Sequence, residues 1–196
     1  MEAHWNEEAK ALLVGLILFV AAEEASSRKN LATVRDLLTL PIDRFERLLV
    51  AMQDSQAAGG LVARAANRHL AKSDREASGV LSSAQRHTHF LDSPRMTAVM
   101  DRSDFAFDAL KEQTATVFLV LPPDRISTYS RWLRLMVSQA MTDLARSSAQ
   151  PPEPVLFLLD EFAALGRLEP VERAMGLMAG YWRPALAHPA GSPPAP

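Results

Sequence analysis

The chain has 196 residues, enough for one or two domains with a sizeable core. Its composition, 48% hydrophobic and 22% charged, is ordinary for a globular protein, and a formal net charge of −2 removes bulk charge as an argument for nucleic-acid binding. With no cysteine, disulfides, thiolate zinc sites and cysteine nucleophiles are excluded, and the usage fits a cytoplasmic chain.

The pattern predicts a first helix over Trp5–Glu24. Asn6 is positioned to cap it, with Glu7 and Glu8 favourably placed in the first turn. Its second half is apolar nearly all round, so both sides should be covered. The apolar stretch, Ala11–Ala22, is about twelve residues, short of the roughly 18 expected of a membrane span. It follows Glu7, Glu8 and Lys10 instead of a basic leader, and reads as a buried helix and not as a signal peptide. His4 and Trp5 are read as packing residues in preference to nucleotide contacts.

Asn30 caps a second predicted helix, Leu31–Leu40, with Val34, Leu37 and Leu38 on one face. Pro41 opens a third over Ile42–Gln53, where Phe45, Leu48, Leu49 and Met52 recur at helical spacing. Gly59-Gly60 marks a break. Leu61–Ala71 and a capping-box helix from Ser73 to about Leu91 follow. Arg64, Arg68, His69, Lys72, Arg75, Arg86 and His87 raise a DNA-contact hypothesis. Asp74 and Glu76 interrupt the run and no aromatic residue interleaves, so a solvated helix face is preferred. His87 and His89 have no carboxylate or cysteine partner at metal-ligand spacing.

Ser93-Pro94 is read as a break, with a short extended piece over Thr97–Met100. Thr116–Leu121 is β-branched and apolar, suited to a central strand. Asp124 or Ser127 can cap the helix that follows to about Ser147, with Trp132, Leu133, Met136, Val137, Ala140 and Leu144 as its apolar face. Arg125, Arg131 and Arg134 are candidates for phosphate or subunit contacts, with surface arginines as the default. After a proline-bearing linker, five apolar residues, Val155–Leu159, run into Asp160 and Glu161. A run that short and apolar suits a strand buried in a parallel sheet, which would complete a right-handed βαβ unit with Thr116–Leu121. Acids at the C-terminal end of such a strand have the form of a Walker B element. Asp160 would hold Mg²⁺ and Glu161 would orient or activate the attacking water. The plainer alternative is a buried strand ending in two solvated acids. A last helix is predicted from Val171 to about Ala179.

The stretch VLFLLDEFAALGRLEPVERAMGLMAGY resembles the TraG-like coupling proteins of conjugation and type IV secretion. So do Thr114–Arg146 and HWNEEAKALLVGLILFVAAEE near the start. The resemblance runs from about Ala3 to Tyr181. It implies an α/β fold: a partial RecA-like P-loop NTPase sheet with a large all-α insert, helix-rich overall. On that expectation residues 1–25 form a helix of the nucleotide-binding domain and 26–95 the all-α insert. Residues 96–181 form the RecA-like portion with Walker B, and 182–196 a disordered proline-rich tail. The resemblance further implies ATP and Mg²⁺ as cofactors, with Glu161 catalytic and Asp160 the cofactor and metal ligand. The implied partners are DNA, relaxosome proteins and secretion-channel components, in a homo-hexamer at the cytoplasmic face of the bacterial inner membrane.

No G-x-x-x-x-G-K-[ST] occurs in the sequence. Without that backbone cradle and lysine, bound phosphates lose most of their electrostatic grip. The chain alone is therefore expected to be inactive as an ATPase. The family's phosphate loop and membrane anchor would precede Met1, and the family's next strand and sensor region would follow Tyr181. The proline-dense end at that point is read as a frameshift or truncation. Two alternatives stand beside the ATPase reading: a non-catalytic binding module acting through the helical insert, and an inactive truncated remnant.

Overall fold

In a computed structural model the described residues are 2–151, 153–159, 166, 171 and 172. They fall in two compact units that divide between Asp104 and Phe105.

The first unit is helical. Helix α1 (Glu2–Glu23) is followed by a single 3-10 turn, Ser26–Arg28, then by α2 (Leu31–Leu38) and α3 (Ile42–Gln53). Next come α4 (Ala57–Leu70), α5 (Asp74–Thr88), a 3-10 turn at His89–Asp92, and α6 (Pro94–Val99). Ala9, Leu12, Leu16 and Val20 recur at helical spacing on α1 and are buried. They join Val34, Leu38, Phe45, Leu49, Met52, Val62, Ala66, Val80 and Ala84 in one core. The opposite side of α1 is less covered than its all-round apolarity predicts: Val14 is 48% and Ile17 42% exposed.

Two glycines let the helices approach closely. A Cβ on Gly15 would collide with the Cβ of Ala65 on α4. A Cβ on Gly79 of α5 would lie 2.7 Å from the Trp5 ring. Trp5 is therefore a packing residue, as the sequence suggests. The predicted break at Gly59-Gly60 is present: Ala58, Gly59 and Gly60 have φ of 51°, 64° and 77°, a left-handed step in the first turns of α4. Glycine tolerates that conformation without steric cost, which is the use of the pair here.

The caps follow the chemistry of their residues. Thr33 N–H donates to Asn30 Oδ1 at 2.9 Å, and Glu76 N–H donates to Ser73 Oγ at 3.4 Å, so Asn30 and Ser73 cap as read. Asn6 does not cap. Helix α1 begins four positions earlier, and Asn6 Oδ1 instead lies 2.9 Å from His87 Nε2 on α5. Pro94 opens a helix where an extended piece over Thr97–Met100 was expected, because proline at a first helical position loses no intrahelical bond. Helix α2 ends at Leu38, two residues short of the predicted Leu40, and Thr39 Oγ1 just beyond it donates to Arg35 C=O at 3.0 Å.

The second unit holds 3-10 turns at Phe107–Lys111 and Pro123–Arg125 and the long helix α7 (Ile126–Arg146). Trp132, Val137, Ala140 and Leu144 are buried along α7, on the predicted face. Neither Asp124 nor Ser127 caps it by a side-chain hydrogen bond.

The α/β expectation is overturned. Among the described residues there is no strand and no sheet. The RecA-like sheet and the βαβ unit expected from Thr116–Leu121 and Val155–Leu159 are absent there. The physical reason is that β-propensity describes a fit to a paired, half-buried surface. Neither run has a ladder partner among the described residues, so apolar, β-branched composition alone does not make a strand. Both keep a period-two exposure: Phe118 and Val120 are 81% and 78% exposed, and Leu156 and Leu158 are 76% and 84% exposed. Their odd-numbered neighbours are partly covered.

Replacing Gly79 by alanine is expected to destabilise the helical unit by about 1–3 kcal/mol, the usual cost of overpacking. Urea denaturation followed by circular dichroism checks this. Combining it with Trp5→Leu should recover part of the loss, because the collision is with that ring.

Candidate functional site

Asp160 and Glu161, the residues expected to carry metal and water chemistry, lie outside the described residues, as do the predicted last helix beyond Glu172 and the 182–196 tail. The approach to them is described. Leu159, immediately before Asp160, packs against the buried cluster of Val137 on α7 and Val171, which Leu133 and Met141 also flank. The last residue of the apolar run thus rests on this cluster, next in sequence to the two acids.

Other second-unit candidates are placed as follows. Arg125 pairs with Asp124 at 3.0 Å, an exposed pair worth little. Gly166 has φ of 63°, and a Cβ there would lie 3.5 Å from Arg134 Nη1. A cavity of about 380 Å³ is lined by residues that include Phe105, Leu110, Val117 and Phe118, with Gln113 and Thr116 as its polar members. None of its lining residues carries a positive charge for a phosphate.

The densest polar cluster joins α1, α4 and α5. Glu8 is 8% exposed. Arg68 donates to it through Nε at 2.9 Å and also through Nη2, and Lys72 Nζ lies 2.7 Å from Glu8 Oε2. Lys72 also reaches Glu76 at 3.3 Å, and Glu76 meets His4 Nε2 at 3.3 Å. The Arg68 hydrogen bonds, then the Lys72 bond, hold the Glu8 carboxyl down to about 2. Burial works against the Lys72 ammonium, but the Glu8 and Glu76 carboxylates outweigh it and its pKa is raised.

A second cluster is centred on Arg35, which is 9% exposed. Its guanidinium grips Asp92 in a two-pronged pair, Nε–Oδ1 2.6 Å and Nη2–Oδ2 2.7 Å. Its Nη1 donates to Gln85 C=O at 2.8 Å and to Thr88 Oγ1 at 3.0 Å. The Arg35 hydrogen bonds hold the Asp92 carboxyl below the usual range.

These contacts change the reading of the basic run. Arg68 and Lys72 are committed to Glu8, His69 is buried, Arg64 donates to Gly59 C=O at 3.1 Å, and His87 faces Asn6. The run is neither a free cationic stripe for DNA nor a plainly solvated face. His89 is exposed and lies 3.9 Å from Asp92. No group of three or more potential metal-ligating side chains converges among the described residues. No helix there is long and apolar enough to cross a membrane.

Glu8 and Arg35 carry the polar architecture: Glu8, expected in the first turn of its helix, lies in the second turn of α1 as a buried ion-pair partner, and Arg35 has no predicted role. The signal for Glu8 was its place beside Ala9 at the head of the buried stripe, where an acid needs a cationic partner. Arg35 sits between the core residue Val34 and the helix's buried Leu37 and Leu38, where the same logic applies.

Comparison with known proteins identifies the lineage. A family model described as Type IV secretory system Conjugative DNA transfer matches residues 1–184. The chain belongs to that family. It is 27% identical over 197 residues to the conjugal transfer protein TraG of Escherichia coli, covering 92% of this chain and 31% of that protein. It is 38% identical over 90 residues to the protein VirD4 of Agrobacterium fabrum, covering 45% of this chain and 14% of that protein. The type IV secretion system-coupling protein VirD4 of Bartonella quintana is 23% identical over 173 residues, covering 87% of this chain. The chain spans 31% of the length of the first of these relatives. No solved structure matches it. The TraG-like resemblance is thereby shown.

Two outcomes follow from the clusters. Arg35→Ala is expected to cost about 2–3 kcal/mol, below the range for a fully buried pair because Asp92 is half-exposed; thermal denaturation measures it. Glu8 has a folded pKa of about 2, depressed from 4.5. Its contribution is therefore full above pH 4.5 and is lost as pH falls from 4.5 toward 2. The urea midpoint should fall across that window, and Glu8→Gln, less stable at neutral pH, should flatten the fall.

Proposed function

We propose that this chain is part of a conjugative DNA-transfer coupling ATPase, the machinery that brings DNA–protein substrates to a type IV secretion channel. The family match over residues 1–184 carries the reading, because it spans both the helical unit and the run that enters Asp160-Glu161. The relatives' names support the same role: TraG is a conjugal transfer protein, and the Bartonella VirD4 is a type IV secretion system-coupling protein. Asp160 would hold Mg²⁺, and Glu161 would orient the water that attacks the terminal phosphate of ATP. Bound Mg²⁺ supplies charge neutralisation on the phosphates and a template for in-line displacement. The contribution of the described residues is positional: α7, through Val137, packs against Leu159, the residue before those acids. DNA, relaxosome proteins and channel components are the proposed partners, and a homo-hexamer at the cytoplasmic face of the inner membrane is the proposed setting.

A second reading is a partner-binding role for the helical unit. Residues 1–104 are compact and have their own core, so this unit needs no phosphate loop to present a surface.

Calorimetry of Mg·ATP with the whole chain and with Asp160→Ala tests the first reading. Since the sequence holds no phosphate-binding glycine–lysine loop, hydrolysis by the chain alone is expected at background level. Binding that disappears in Asp160→Ala supports the metal role. Binding of equal strength in both removes Asp160 from the site, and robust turnover abolished by Glu161→Gln overturns the expectation of inactivity.

A further inference from the structure

We infer that His69 is an acid-sensitive latch within the helical unit, holding α4 against α3 only while its ring is neutral. The ring is 6% exposed, and its edge meets Phe45 of α3 with centroids 5.9 Å apart and planes at 89°. Its Nδ1 is buried with no hydrogen-bond partner among the described residues. A neutral imidazole accommodates this by leaving Nδ1 unprotonated. A protonated one cannot, because both ring nitrogens then carry a proton to donate.

The charged groups around the ring come from α1, α5 and the turn between α4 and α5. Lys72, in the turn just after α4, disfavours a second cation. Glu8 of α1 and Glu76 of α5 favour one, but both are already engaged by Lys72, and Glu8 by Arg68 as well. From α3 the neighbour is the uncharged Phe45. The last turn of α4 attracts a cation weakly through its carbonyls. Burial outweighs that attraction and pushes the imidazole below its ordinary value of 6.5.

The sign follows. A depressed folded pKa means that the stabilising contribution is full above pH 6.5 and declines as pH falls below it. Glu8 responds only below pH 4.5. The helical unit therefore loosens in two separate steps on acidification: His69 releases α4 from α3 first, while the Glu8 clamp still ties α4 to α1.

Urea unfolding of the whole chain, followed by circular dichroism at pH 7.5 and 5.5, tests the latch against His69→Phe and His69→Gln. A ring excluded from protonation while folded lowers the folded-to-unfolded ratio by up to about tenfold at pH 5.5, set by the unfolded imidazole. The wild type is expected to show such a fall, and both variants are expected to lose it. An unchanged fall in either variant that folds overturns the inference. Should neither variant fold, proton magnetic resonance of the wild-type ring decides: a midpoint below 6.5 supports the latch, and one at or above 6.5 overturns it.

Discussion

Helix α1 lies so close to α4 that Gly15 has no room for a methyl group. That approach sets the geometry of the helical unit. It brings Ala9, Leu12, Leu16 and Val20 into one core with residues of α2 to α5, and it delivers Trp5 onto Gly79. It also carries Glu8 into a nearly dry position, where a carboxylate persists only with cations in contact. Arg68 and Lys72 supply them. Apolar packing and the ionic clamp are therefore two results of one close approach, and loosening the first would leave the second without its dry surroundings.

The helices were legible because their signals are local. Asn30, Ser73 and the Gly59-Gly60 pair act within three or four residues of where they stand, and Phe45, Leu49 and Met52 report a face through spacing alone. Asn6 departs from its predicted capping role for the complementary reason. Its partners, His87 and Ser83, are about eighty residues away in the chain, and nothing nearby announces them. Arg35 and Asp92, 57 positions apart, are the same case. Long-range polar partners leave only an indirect trace, a charged residue set in a buried register.

The second unit shows the limit of propensity. Thr116–Leu121 and Val155–Leu159 have the composition of inner strands, yet strands are defined by their neighbours. The helix between them needed no such neighbour: α7 forms with its predicted apolar face and seats Leu159 through Val137. Of the candidate site, Asp160 and Glu161 stand out in the sequence through the apolar run that precedes them, and they lie outside the described residues. The chemistry of the two acids depends on groups that a linear pattern does not name.

The alternating exposure of those two runs has a practical consequence. Phe118, Val120, Leu156 and Leu158 set four large apolar side chains in water from short runs that have no ladder partner among the described residues. Such surface is what environment-sensitive dyes bind and what drives molecules together as concentration rises. Light scattering of this protein should thus depend on concentration and on sulfate, which strengthens apolar association. Solution measurements on the chain belong at low concentration, where its two units report on themselves and not on their neighbours.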